Sequence, residues 1–360
     1  DYTVPDYLYI NNKNGTFTDL LGSQIGHTSH FSMGNNVADI NNDGWQDIFT
    51  LDMLPKNNKR QKLLLSPDNY EKFDLNIRSG FHHQYMRNML QLNNGDNTFS
   101  EIGQLSGISN TDWSWAPLFA DFDNDGLKDL FITNGYYRDY TNLDFINYME
   151  DFVQSKGRLQ RQDVLELIKK MPASDLTNFY YTNTDGINFT DNTKYAGIDQ
   201  PANSNGAIYT DLDNDGDLDL VVNNINKPAF IYRNDSSKKN DTFLNIELKG
   251  ENKNTNGIGT KISVFSDEHI QVLEQMPTKG YLSTVSPILH FGFGENAKID
   301  SLIVEWNSGK KETLKDISAN KLLVLEESNA TLLKSKVVNP DQLFAKTESL
   351  INYKHKSSTI

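Results

Sequence analysis

The chain has 360 residues and no cysteine, and 34 Lys and Arg stand against 48 Asp and Glu for a formal charge of −14. The length allows about two domains with full cores. The missing thiol excludes disulfide frameworks, thiol nucleophiles and Cys-ligated metals. No run of about 18 apolar residues offers a membrane span, and an acidic chain lacks the clustered Lys and Arg that nucleic-acid binding needs.

The acid is concentrated. Three nine-residue segments, 39–47, 121–129 and 211–219, hold 12 of the aspartates and a single base, Lys128, while the other 333 residues carry a net charge of only −3. A solvated acidic face would be diffuse, and a disordered acidic tail would be one block.

In chain order, an apolar strand at 7–11 turns back to Phe17, and 22 residues later comes Asp39. The same strand, turn and 22-residue interval recur as 89–93, Phe99 and Asp121, and as 179–183, Phe189 and Asp211. Ser32, Ser114 and Ser204 fall seven residues before the first loop Asp, and Asp52, Asn134 and Asn224 fall five after the last. A fourth start at 230–234 is expected to open another copy that never reaches an acidic loop. Fixed spacing within a unit and variable spacing between units predicts four-stranded blades with long loops on one face.

The excess length lies near 53–88 and 136–177. Ser66-Pro67 predicts a capped helix start. The apolar residues Val164, Leu165, Leu167 and Ile168, stopped by Pro172, predict an amphipathic helix over 163–171. From 241 the pattern becomes short β runs, such as Ile262 to Phe265 and Leu302 to Trp306, every 10–20 residues. These predict a separate antiparallel sandwich over 241–327, followed by a polar linker or tail over 328–360.

Each acidic segment reads D-x-[DN]-x-D-G-x-x-D. Hard cations such as Ca²⁺ take six to eight oxygens at about 2.3–2.6 Å. Positions 1, 3 and 5 of a tight turn converge side-chain oxygens, a Gly at position 6 permits the turn, position 7 offers its carbonyl, and position 9 closes the shell. The expected ligands are Asp39, Asn41, Asp43, Trp45 and Asp47; Asp121, Asp123, Asp125, Leu127 and Asp129; and Asp211, Asp213, Asp215, Asp217 and Asp219. Three Ca²⁺ sites follow, because uncompensated carboxylates this close repel strongly. Ligand charge predicts the tightest site at 211 and the weakest at 39, where Asn41 is neutral. An EF-hand is excluded: position 12 is Thr50, Ile132 and Val222 rather than Glu, and β-rich runs flank the loops.

With these residues in view, the chain resembles the FG-GAP/VCBS propeller repeat, the calcium-loop repeat also found in integrin α-subunits. The stretches 256–261, 275–281, 289–294 and 304–309 resemble the ASPIC/UnbV domain, with Trp306-Asn307 where that family more often has Trp-Pro. The resemblance implies an all-β fold with helical insertions: a partial propeller, seven-bladed in full, with calcium-binding hairpin loops, followed by the small antiparallel β-sandwich. Three repeats and a fragment cannot close a ring. The chain also starts at Asp1 without a leader, so it is expected to be a mature form or a piece of a longer protein, or to take blades from another chain.

The resemblance implies a setting on the extracellular face of a bacterial outer membrane, or secretion, with an outer-membrane transporter or other surface proteins as partners. The favoured function is a non-enzymatic, calcium-stabilised binding or scaffold protein accessory to nutrient uptake. Adhesion to a protein or glycan is the alternative, and a propeller polysaccharide lyase or hydrolase is a third. No nucleophile elbow, zinc-protease or phosphate-loop motif supports catalysis. The expected binding rim carries Trp113, Trp115, His82 and Tyr85, although alternation on a strand places one tryptophan in the blade core. His82-His83 and His27-x-x-His30 read as loop histidines rather than metal ligands.

Overall fold

A computed structural model describes residues 6–65, 69–236, 241–266, 269–295 and 297–332. The predicted helix start at Ser66-Pro67 and most of the tail lie outside the described residues. The fold is all-β with a few helices, and its first two thirds form a partial propeller.

Two blades are complete. The first has strands Asn35–Ala38, Asp47–Thr50, Met89–Asn93 and Phe99–Glu101, and the second has Ser114–Ala120, Asp129–Asn134, Phe179–Asn183 and Phe189–Asp191. A third blade holds Ser204–Thr210, Asp219–Asn224 and Phe230–Tyr232, and an exposed hairpin, Tyr9–Asn11 with Phe17–Asp19, precedes the first. All neighbours within these sheets are antiparallel, and each acidic segment joins the two inner strands of a blade.

The sequence repeat is therefore offset from the blade. The strand and turn upstream of the second and third acidic loops form the outer pair of the preceding blade, and those upstream of the first form the separate hairpin. The run at 230–234, expected to open a new copy, is instead the third strand of the third blade. Hydrophobic periodicity finds strands but does not say where one sheet ends and the next begins.

Blade stacking explains the residue pattern. In the second blade the inner strands are buried on both faces: Leu130 and Ile132 join Phe49, Leu90 and Phe119 in the core against the first blade, while Phe131 joins Leu118, Leu220 and Val222 in the core against the third. Such strands read as continuous apolar runs. At the end of the stack, Asn35–Ala38 alternates exposed and buried, and Val37 is 40% exposed.

The Ser and Asx spacing is partly a clamp at the strand ends opposite the acidic loops. The Ser114 and Ser204 hydroxyls donate to Asn134 and Asn224 Oδ1 at 2.6 and 2.7 Å. In the first blade Asp52 pairs with Ser29 rather than Ser32, which donates to Asp6.

Both insertions are helical: Asn58–Leu64 and Tyr70–Arg78 in the first, Leu143–Lys156 and Arg161–Lys170 in the second. Asn57, Asn69 and Asn142 cap three of them through side-chain oxygens, and Asp163 accepts from the Gln160 N–H in the fourth. Arg60 ties the first insertion to the start of the second blade through Asp112, 3.0 Å from Nη2 to Oδ1.

The C-terminal part is a sandwich of three and five strands around Leu244, Ile262, Val264, Phe291, Leu302 and Trp306. It departs from the expected antiparallel arrangement at one edge, where Asp241–Lys249 pairs parallel with Lys321–Glu326. Its short hairpin of Thr278–Lys279 and Ser283–Thr284 reaches the inner strands, where Gly280 bridges Asn35 and Val285 joins the core of the second and third blades.

Candidate metal centres

Each acidic loop is a tight turn whose fourth residue, Asn42, Asn124 or Asn214, has φ near +60°, and whose sixth, Gly44, Gly126 or Gly216, has φ between +89° and +97°. Asn tolerates the left-handed region better than most residues, and Gly adopts it freely. The position-1 carboxylate holds the turn from inside. Asp121 Oδ1 and Oδ2 accept from the Asp125 and Gly126 amides at 3.1 and 2.9 Å, and Asp39 does the same for Asp43 and Gly44.

Positions 1, 3 and 5 converge. One carboxylate oxygen from each of Asp121, Asp123 and Asp125 lies within 4.8 Å of the other two, and the same holds for Asp211, Asp213 and Asp215. In the first loop two carboxylates flank an amide, with Asn41 Nδ2 donating to Asp43 Oδ2 at 3.0 Å.

Position 9 does a second job. Asp47 Oδ1 accepts from the Asn93 N–H at 2.8 Å and Oδ2 from Ile40 N–H at 3.0 Å; Asp219 accepts from Asn234 and Leu212 in the same way. Asp129 accepts from Asn183 N–H and from the Tyr180 hydroxyl at 2.7 Å. At the end of the third strand an Asn also reaches the preceding blade in two cases: Asn183 donates to Ile40 O and Asn234 to Phe122 O. This role of the recurring Asn was visible as a repeat in the sequence but not as a contact.

The electrostatics suit an all-oxygen cation site. Burial first, then Asp125 and Asp123, push Asp121 well above the usual carboxylate range. Burial pushes Asp125 and Asp47 up to about 6 and raises Asp39, Asp211 and Asp215. Asp211 Oδ1 is buried with no hydrogen-bond partner. Hard carboxylate and carbonyl oxygens with no nitrogen or sulfur among them fit Ca²⁺.

The loops are also chained together. Asn42 Nδ2 donates to Gly126 O at 2.9 Å, and Asn124 Nδ2 donates to Asp217 Oδ1 at 2.8 Å and Gly216 O at 3.3 Å. Lys128, 4% exposed, returns from the second loop to Asn42 Oδ1 at 2.9 Å. Burial lowers its ammonium pKa, opposed by Asp39, Asp121 and Asp47. A cavity of about 320 Å³ lies beside these loops where they face the sandwich, its wall including Asp39, Asp121, Lys128, Lys279 and His290. The sequence shows Lys128 as the lone base of the acidic segments and His290 within the 289–294 stretch, but not their contacts with Asn42 and Asn124, which lie 86 and 166 residues away.

The four expected rim residues fall into two clusters. Trp113 is 5% exposed and stacks on Tyr136 at 4.1 Å, so it packs rather than presenting a surface. Trp115 is half-buried, donates from its indole to Gly135 O at 2.8 Å and meets Tyr281. His82 Nε2 lies 2.9 Å from Ile25 O, and Tyr85, 37% exposed, faces Arg87, His27 and Phe73.

Residues 3–50 and 74–132 match the model of the FG-GAP-like repeat, and residues 250–332 match that of ASPIC and UnbV. Blades joined through acidic loops, followed by this sandwich, make the chain an FG-GAP-like repeat propeller with an ASPIC/UnbV domain. It is similar to cartilage acidic protein 1 of Mus musculus, 24% identical over 320 residues that cover 85% of the chain and 38% of the relative. The Homo sapiens protein of that name is 24% identical over 336 residues, covering 89% of the chain and 40% of its own length. The chain thus spans about two fifths of these relatives.

Proposed function

We propose that this chain is a non-enzymatic binding and scaffold module whose three acidic loops hold Ca²⁺ as structural ions, displayed at a cell surface or secreted. The carrying observation is the convergence of three carboxylates within 4.8 Å in two loops, beside a buried Asp211 oxygen with no partner. Bound Ca²⁺ would neutralise that repulsion and fix each inner hairpin. Asp39, Asp43 and Asn41 would hold it in the first loop, Asp121, Asp123 and Asp125 in the second, and Asp211, Asp213 and Asp215 in the third. The carbonyls of Trp45, Leu127 and Asp217 are further donors by position.

An ion at about 100 times its dissociation constant adds about 2.7 kcal/mol to folded-state stability. Sites of modest affinity suit millimolar extracellular calcium. An extracellular setting agrees with relatives named for cartilage, and no helix among the described residues is long and apolar enough to cross a membrane. The partner this reading favours is an outer-membrane transporter or another surface protein, with a glycan as the alternative ligand. A pull-down from solubilised envelopes, with calcium and with chelator, tests it. A stoichiometric surface protein lost on chelation supports the scaffold role, and turnover of an acidic glycan by the purified chain refutes it.

A further inference from the structure

All three loops meet the C-terminal sandwich at or beside their position-6 glycines. Lys261 Nζ donates to Gly44 O in the first loop at 3.3 Å. In the second, the Gly294 amide donates to Asn124 O at 2.6 Å, and His290 Nε2 lies 2.7 Å from Asn124 Oδ1. The Asn124 amide nitrogen already donates to Asp217, so its oxygen faces His290 and the imidazole donates. Within the second loop the approach is closest at Gly292, where a Cβ would stand 2.3 Å from Asp121 Oδ2 and 2.5 Å from Asn124 Cα. In the third loop, the Phe243 ring lies against Gly216, where a Cβ would fall 2.1 Å from Cε1.

We propose that the three acidic loops are the docking surface for the ASPIC/UnbV domain, so that cation binding and domain docking form one coupled equilibrium. This rests on the calcium reading of the loops. A bound ion would draw positions 1, 3 and 5 together and fix the backbone at positions 4 to 6, which is the part the sandwich grips. Without the ion, the carboxylates repel, the turn opens, and Asn124 and Gly126 leave the positions that Gly294, His290 and Gln271, whose Nε2 would lie 3.2 Å from a Cβ at Gly126, require. The links from Asn42 to Gly126 and from Asn124 to Gly216 spread the effect across neighbouring loops. Coupling between two binding events is reciprocal, so weakening the dock must weaken ion binding.

The test isolates the second loop by carrying Asp43→Ala and Asp213→Ala, then compares calcium affinity by calorimetry with and without Gly292→Ala, whose methyl group would meet Asp121 and Asn124. The expected result is a loss of about fivefold or more in affinity, the lower end of typical coupling. In the unsubstituted chain, hydrogen exchange of the Gly294 amide, which supplies no ion ligand, should slow by at least a similar factor on adding calcium. Affinity unchanged by Gly292→Ala, or Gly294 exchange indifferent to calcium, overturns the coupling while ion binding stands. No calcium uptake in the unsubstituted chain overturns the cation reading itself. The exchange measurement needs no variant, so a Gly292→Ala chain that fails to fold does not shield the proposal.

Discussion

Neutralising one carboxylate of the second loop should move stability in opposite directions with and without calcium. In Asp123→Asn, the amide keeps the shape of the side chain and removes one charge from a triad whose oxygens lie within 4.8 Å of one another. At that separation each like-charge pair costs about 0.9 kcal/mol in bulk water and about 3.5 kcal/mol at an effective dielectric constant of 20. Asp123 and Asp125 both reach solvent whereas Asp121 is buried, which places the Asp123–Asp125 pair at the lower end and the Asp121–Asp123 pair above it. Removing them should therefore raise the stability of the chelated chain by about 2 kcal/mol, a shift of several degrees in Tm.

With calcium at about 1,000 times the site's dissociation constant, the bound ion supplies about 4.1 kcal/mol to the unsubstituted chain. A variant that no longer holds the ion loses this and keeps the relief of repulsion, so it should melt lower by about 2 kcal/mol in net terms. Paired thermal melts in excess calcium and in chelator read both signs. A shift of the same sign in both conditions refutes the electrostatic reasoning.

Three further outcomes follow. Asn41→Asp should tighten the first loop toward the others, and calorimetry should show the unsubstituted loops ranked with the third tightest and the first weakest. In chelator, Asp47 and Asp125, both pushed up to about 6 by burial, favour protonated folded states. Their stabilisation is full below about pH 4 and lost as pH rises through 6, so urea unfolding should show stability falling over that window unless calcium is present. His290, lowered by burial to about 4, acts with the opposite sign: its contribution is present above about 6.5 and lost as pH falls toward 4, and His290→Gln should flatten that limb in calcium. Gly34→Ala would place a Cβ 1.9 Å from the Trp115 carbonyl oxygen between the first two complete blades. A loss of about 2 kcal/mol or more in chemical denaturation is expected, whereas Gly26→Ala, in open space, should lose far less.

The acidic loops were legible because their chemistry is local: nine consecutive residues carry the donors, the turn glycine and the tolerant Asn. The blade strands were legible for the same reason, as apolar runs with fixed intervals. What lay hidden depends on residues distant in the chain. The recurring Asn183 reads as a strand-end residue, yet its side chain holds Ile40, 143 residues away. Gly126 and Gly216 read as turn glycines, yet each also lies against the sandwich, where a Cβ would meet Gln271 or Phe243. The Ser of the repeat marks the clamp in two blades, but in the first the partner of Asp52 is Ser29, three residues earlier. The parallel pairing of Asp241–Lys249 with Lys321–Glu326 joins the ends of a domain, a long-range choice that strand periodicity does not encode.

Native mass spectrometry of the intact chain in calcium tests the central claim most directly. Three bound ions per chain are expected, falling to two when Asp121 and Asp123 are both replaced by Ala, and to none after exhaustive chelation. A chain that carries no ion above the background of an acidic control protein contradicts it.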